Sequence, residues 1–120
     1  MTATDHIPEK RTFTSGEWIK VEDIAHARSG DKGDMVNIAF IAHHPEYHQL
    51  LKQLITPNKL AEWFKGWTEG PFEVWSVPGV SAINCLIHSV LQGGGAISLR
   101  LDAQGKALGQ VLLQAPLQIP

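Results

Sequence analysis

The sequence has a single cysteine, Cys85, so no intrachain disulfide can form and no cysteine-based zinc site can be built. It has no run approaching the ~20 apolar residues of a membrane span. Residues 1–16 carry no apolar stretch of signal-peptide length, which points to a cytoplasmic protein with no membrane contact. Positive charge is not in excess either. The 10 Lys and Arg are set against 12 Asp and Glu, a formal net charge of −2. A general nucleic-acid binder needs a basic patch to neutralise phosphates, and this balance argues against one. Internal repeats and low-complexity segments are also absent.

What remains is an ordinary globular composition. Hydrophobic residues make up 43% of 120 residues, enough for one domain with a real core. Residues 1–17 are polar and read as a flexible N-terminal arm, disordered or lying across a partner subunit. Residues 18–120 read as the domain. A first strand is expected over 18–27, with Ile19, Val21, Asp23, Ala25 and Ala27 on the core side and Lys20, Glu22, Ile24 and His26 on the other. A second is expected over 35–42, with Val36, Ile38, Phe40 and Ala42 inward. A seven-residue polar loop between them makes a long hairpin. His26 and Asn37 then leave the sheet on the face away from the core.

Pro45 opens a helix whose apolar stripe is Tyr47, Leu50, Leu51, Leu54 and Ile55. Thr56 and Pro57 supply the N-cap and first position of another, with Leu60, Trp63, Phe64 and Trp67 on its apolar face. Residues 72–77 alternate as a third strand, and Pro78-Gly79 is a turn. A third helix is expected from Ser81 to about Gln92, stopped by Gly93-Gly94-Gly95. Residues 96–101 read as a fourth strand. Residues 107–115 fit a helix or a doubly buried strand, with helix favoured until Pro116. This order gives an α+β sandwich, a mixed sheet of about four strands with helices on one face. The other face needs a cover, and Ile24, Ile41 and the four tryptophans leave apolar surface for a homo-oligomer or a larger partner.

The polar surplus lies in one stretch, His-Ala-Arg-Ser-Gly-Asp-Lys-Gly-Asp-Met-Val-Asn at 26–37. A loop of Ser29, Gly30, Asp31, Lys32, Gly33 and Asp34 can turn backbone N–H groups inward and hold an anion. Arg28 offers a planar fork for carboxylate or phosphate, and Lys32 a point charge. Asp31 and Asp34 suit a hard cation, or hold the two bases in place. A solvated turn with internal salt bridges accounts for the same residues. His26 near two aspartates is a candidate general base, or simply bonds a loop carbonyl. Asn37 either orients the loop or contacts the ligand. The loop lacks P-loop spacing.

Asn84 and His88, four apart on the expected helix, share one ridge. They point at the same pocket or are satisfied polar groups at the core edge. Cys85 is expected as a buried core thiol. Gly93, Gly94 and Gly95 allow close backbone approach to a ligand, or are a flexible connection. Arg100 with Asp102 and Lys106 forms a surface salt bridge or a second wall of the site. His43, His44 and His48 read as solvated.

Residues 25–34 with Asn37, then Asn84, then Leu91-Gln92-Gly93-Gly94-Gly95, Ser98-Leu99-Arg100-Leu101-Asp102 and Gln104-Gly105-Lys106, resemble the C-terminal domain of the AtuA-like acyclic terpene utilisation family. The resemblance covers roughly residues 20–115. It implies a ferredoxin-like α+β domain. In longer members this domain follows a larger one, in proteins tied to catabolism of citronellol- and geraniol-type compounds through acyl-CoA intermediates. This chain looks like the small domain alone. The expected function is a small subunit or accessory domain acting with an AtuA-like large-domain protein on a carboxylate or acyl-CoA metabolite. Hydration or dehydration is the expected chemistry, with His26, Asp31 and Asp34 as acid–base groups and Arg28 on an anionic group. No cofactor or metal is expected. Two other readings stand beside it: a non-catalytic oligomerisation or docking module, and a metal-assisted enzyme with Asp31, Asp34 and His26 as ligands.

Overall fold

The computed structural model describes residues 7–90 and 108–120, and of Lys32 the backbone only. The hairpin at its centre is longer than expected. Strand β2 spans Ala25–Lys32 and β3 spans Met35–Ala42, with Lys32 opposite Met35. The loop is therefore two residues, Gly33 and Asp34. Gly33 has φ +60°, the positive value that a two-residue type II′ turn takes at its first position. The expected seven-residue loop is corrected: Arg28 to Lys32 are strand residues. Pairing along all of β3 overrides the weak strand preference of Gly30 and Asp31.

The first expected strand is likewise two. Strand β1, Trp18–Lys20, is parted from β2 by a 3-10 turn at Val21–Asp23. The Asp23 carboxylate accepts the Lys20 N–H at 2.8 Å, and Ile24 N–H closes the turn on the Val21 carbonyl at 3.0 Å. The turn breaks the period-2 phase. Ile24, expected outward, is fully buried, and Asp23, expected inward, is exposed.

Pro45–Tyr47 forms a 3-10 turn leading into α1, His48–Leu54, and α2 spans Pro57–Trp63. Thr56 caps α2 as expected, its hydroxyl accepting Lys59 N–H at 3.1 Å. Strand β4 is Phe72–Val77. Residues 82–87, expected within a helix, form strand β5, Ala82–Ile87. Ile83, Cys85 and Ile87 are buried in strand alternation, and a short apolar run of this kind does not separate the two periods by itself. Past the undescribed segment, α3 (Leu108–Leu112) confirms the helix favoured there, and Pro116–Gln118 forms a further strand, β6.

The sheet order is β2-β3-β5-β4, with β1 and β6 as a separate two-stranded ribbon. The sheet expected to be mixed is antiparallel in every described ladder. One face carries the core. Ala27, Val36, Ile38, Phe40, Ile83, Cys85 and Ile87 meet Leu51, Ile55, Leu60 and Phe64 from the helical side. α3 lies close over β2: a Cβ added at Gly109 would sit 3.2 Å from Ala27 Cβ and 3.4 Å from Ser29 Oγ. The opposite sheet face has no helix over it among the described residues.

The segment leading into β1 lies against the domain. His44 Nε2 donates to the Pro8 carbonyl at 2.7 Å, and the Tyr47 hydroxyl both accepts from Arg11 N–H and donates to the Arg11 carbonyl. Gly93, Gly94, Gly95, the expected strand over 96–101, Arg100, Asp102 and Lys106 lie outside the described residues.

Candidate functional site

In an antiparallel sheet, residues directly paired point to the same face, so register sorts the candidates. Three cross-strand rows line the open face: His26–Ile41–Ala82–Val77, Arg28–Ala39–Asn84–Trp75 and Gly30–Asn37–Leu86–Glu73. His26 and Asn37 do leave the sheet away from the core, as expected. Asn84 joins them although it is on a strand and not on a helix ridge. His88, just past β5, meets Glu73 at 2.5 Å, Nε2 to Oε2. It faces Glu73 rather than Cys85. The Cys85 thiol is buried in the core and pushed up to about 12 by burial, which excludes it as a nucleophile and fits the expected core thiol.

The expected acid–base set is taken apart by the same register. His26 pairs with Ile41, whereas Asp31 pairs with Val36 and so points to the other side of the sheet. Five residues of strand also separate them, about 16 Å. Asp31 is exposed. Asp34 is at the hairpin tip, half-buried, its carbonyl accepting Val90 N–H at 3.1 Å. His26 and Asp31 therefore cannot act on one substrate atom or share one metal ion. Among the described residues no three His, Cys, Asp or Glu side chains are grouped to hold a metal.

Ser29 is also displaced from the expected site. It faces α3, and its Oγ accepts the Gly109 N–H at 3.0 Å. That bond satisfies one of the unpaired donors at the start of the described helix. Gly30 and Gly33 have nothing within 4 Å of an added Cβ, so neither makes a close backbone approach. Arg28 is exposed and has no acidic partner among the described residues. Asn37 donates weakly to the Cys85 carbonyl at 3.4 Å, while the half-buried Asn84 amide has no partner among the described residues.

One histidine cluster replaces the solvated group expected at 43–48. His43 stacks on His26 with ring centroids 5.9 Å apart. Its Nε2 donates to the Glu22 carbonyl at 2.8 Å, leaving Nδ1 buried without a partner among the described residues. Burial first, then His43 and Arg28, hold the His26 imidazole below its ordinary 6.5. Its neutral form is thereby favoured, and among the described residues no carboxylate bonds it. His48 hydrogen-bonds Ser76 Oγ at 2.9 Å, on the helical side.

Residues 19–118 match the AtuA ferredoxin-like domain. The chain belongs to the AtuA ferredoxin-like domain family. Comparison with curated proteins and with solved structures finds no match. This AtuA ferredoxin-like domain presents a mixed polar and apolar sheet face where a cupped loop was expected. Trp75 was not singled out from the sequence as part of a site. It is 44% exposed on the open face. The signal was legible: Phe72, Val74 and Ser76 alternate with Glu73, Trp75 and Val77, which puts one large aromatic among the outward positions of a strand.

Proposed function

We propose that this AtuA ferredoxin-like domain is an accessory unit of an AtuA-like system acting on a carboxylate or acyl-CoA metabolite, and that it contributes assembly rather than bond-making chemistry. The observation that carries the reading is the register of the hairpin. It separates His26 from Asp31 in face and in distance, and puts Arg28 on a sheet face, with the exposed Trp75, that has no helix over it among the described residues. A general base must reach its proton within hydrogen-bond distance and keep its tautomer, and among the described residues His26 has no carboxylate to hold it. A sheet face that mixes apolar residues with Trp75, Arg28 and two asparagines has the character of a protein contact. The Arg28 guanidinium, without an acidic neighbour among the described residues, suits that contact or an anionic group brought to it.

The test is reconstitution with an AtuA-like large-domain protein and CoA thioesters of branched acids. The domain alone gives no turnover. The mixture turns over at a rate that needs this chain, that His26→Gln and Asp31→Asn keep within about threefold, and that Arg28→Glu with Trp75→Ala lowers by tenfold or more. Turnover by the domain alone, or its loss in His26→Gln, sinks the assembly reading.

A further inference from the structure

The middle row of the open face runs Arg28, Ala39, Asn84, Trp75 from one edge of the sheet to the other. It has a cation at one end, an aromatic at the other, and in the middle a small residue beside an amide that has no partner among the described residues. We infer that a second copy of this chain covers the face, related by a two-fold axis running parallel to the strands between β3 and β5. The inference rests on the assembly reading above and names its occupant.

The argument is one of self-complementarity. A two-fold contact places the same patch on both sides, so each feature must find its counterpart within the patch. An axis along the strands reverses the order across the sheet and keeps position along it. β2 of one copy then lies over β4 of the other. Two sheets pack face to face about 10 Å apart with strands nearly aligned, a gap that an arginine spans. Arg28 falls over Trp75 of the partner subunit, and a guanidinium on an indole face is a favourable pair. Because the axis is two-fold, the pair occurs twice. In the next row Gly30 has no side chain, and it falls opposite Glu73 of the partner subunit. That carboxylate comes to lie next to Arg28, which has no acidic neighbour in its own chain among the described residues.

The centre fits as well. Asn84 lies beside the axis, and the two Asn84 amides can donate to and accept from each other. This supplies the partner that the half-buried Asn84 lacks among the described residues. Ala39 leaves room for the pair. Ile41, Leu86 and Val77, half-buried now, supply the apolar surface around it. The alternative axis, across the strands, sets β2 over β2 and brings the two Arg28 cations together.

Light scattering on the full chain across a range of concentrations tests the stoichiometry, and Asn84→Cys tests the axis. A concentration-dependent dimer is expected. Arg28→Ala and Trp75→Ala each raise its dissociation constant roughly tenfold or more, since two copies of the contact are lost per dimer. Asn84→Cys treated with a bismaleimide of about 8 Å span gives a covalent dimer on a denaturing gel, since thiols on sheets about 10 Å apart are too distant for a direct disulfide. The native thiol is buried and does not compete, and Gln53→Cys on exposed α1 stays monomeric in the same gel. Far-UV circular dichroism checks that each variant is folded. A chain that is monomeric throughout overturns the inference. If that monomer still binds a large-domain protein, and Trp75→Ala abolishes the binding, the assembly reading stands with a different occupant. A dimer untouched by both substitutions and not crosslinked by Asn84→Cys also overturns the inference, because the copies then meet elsewhere.

Discussion

Ser29 and His26 show how a pair of side chains can be read correctly by type yet fail to meet: His26 lies on the face expected of it, and Ser29 does not. Each was expected at one ligand site, and three residues of strand turn them to opposite faces. The Ser29 hydroxyl holds the Gly109 amide, so Ser29→Ala leaves a partly buried donor unpaired. Chemical denaturation should show a loss of about 1 kcal/mol with no change in the denaturant slope. His26 makes a pH prediction. Its imidazole is held below the ordinary 6.5 in the folded chain, chiefly by burial, so the unfolded chain binds the proton first as pH falls. Stability then declines as pH drops through about 6.5 and levels off below the folded value. Thermal melts between pH 8 and pH 5 should show the decline, and His26→Gln should flatten it. A wild-type profile identical to that of the variant contradicts this account.

Among the elements, legibility followed cooperation between local signals. Thr56-Pro57 carries a cap and a compatible first residue together, and α2 begins there. Residues 72–77 alternate, have turn-forming neighbours and form β4 as expected. Where signals conflicted, pairing decided. Residues 82–87 suit a helix face as well as a strand, and β3 and β4 on either side make them a strand. Gly30 and Asp31 look like loop residues, and the ladder to β3 carries them. Removing the α2 cap offers a clean measurement. Thr56→Ala should cost about 1 kcal/mol in equilibrium unfolding, and Thr56→Ser should restore most of it.

At the scale of the molecule, the two ends of the described domain are tied together. β1 pairs with β6, and Gly16 N–H and Ile119 N–H bond the Ile119 and Glu17 carbonyls at 2.8 Å each. Leu117, three residues from the C-terminal end of the chain, is fully buried. Leu117→Ala should therefore destabilise the whole domain by roughly 2–4 kcal/mol, as a core truncation does, and not merely fray a terminus. Hydrogen exchange would separate these outcomes: protection falls at β1 and in the central sheet together if Leu117 is core, and only near β6 if it is not. No helix among the described residues is long and apolar enough to cross a membrane.

The order of residues by itself determined the α+β class, the strands at 35–42 and 72–77, the α2 start and the family, because each rests on local periodicity or on a contiguous motif. Only the tertiary structure decided which way the polar side chains point. A strand turns successive residues to opposite faces, so the length of one hairpin loop decides the face of each residue from Arg28 to Lys32. That length was set by pairing with β3, a partner the local pattern does not contain. The chemistry expected of a crowded loop thus became, through register, a row of side chains on an open sheet.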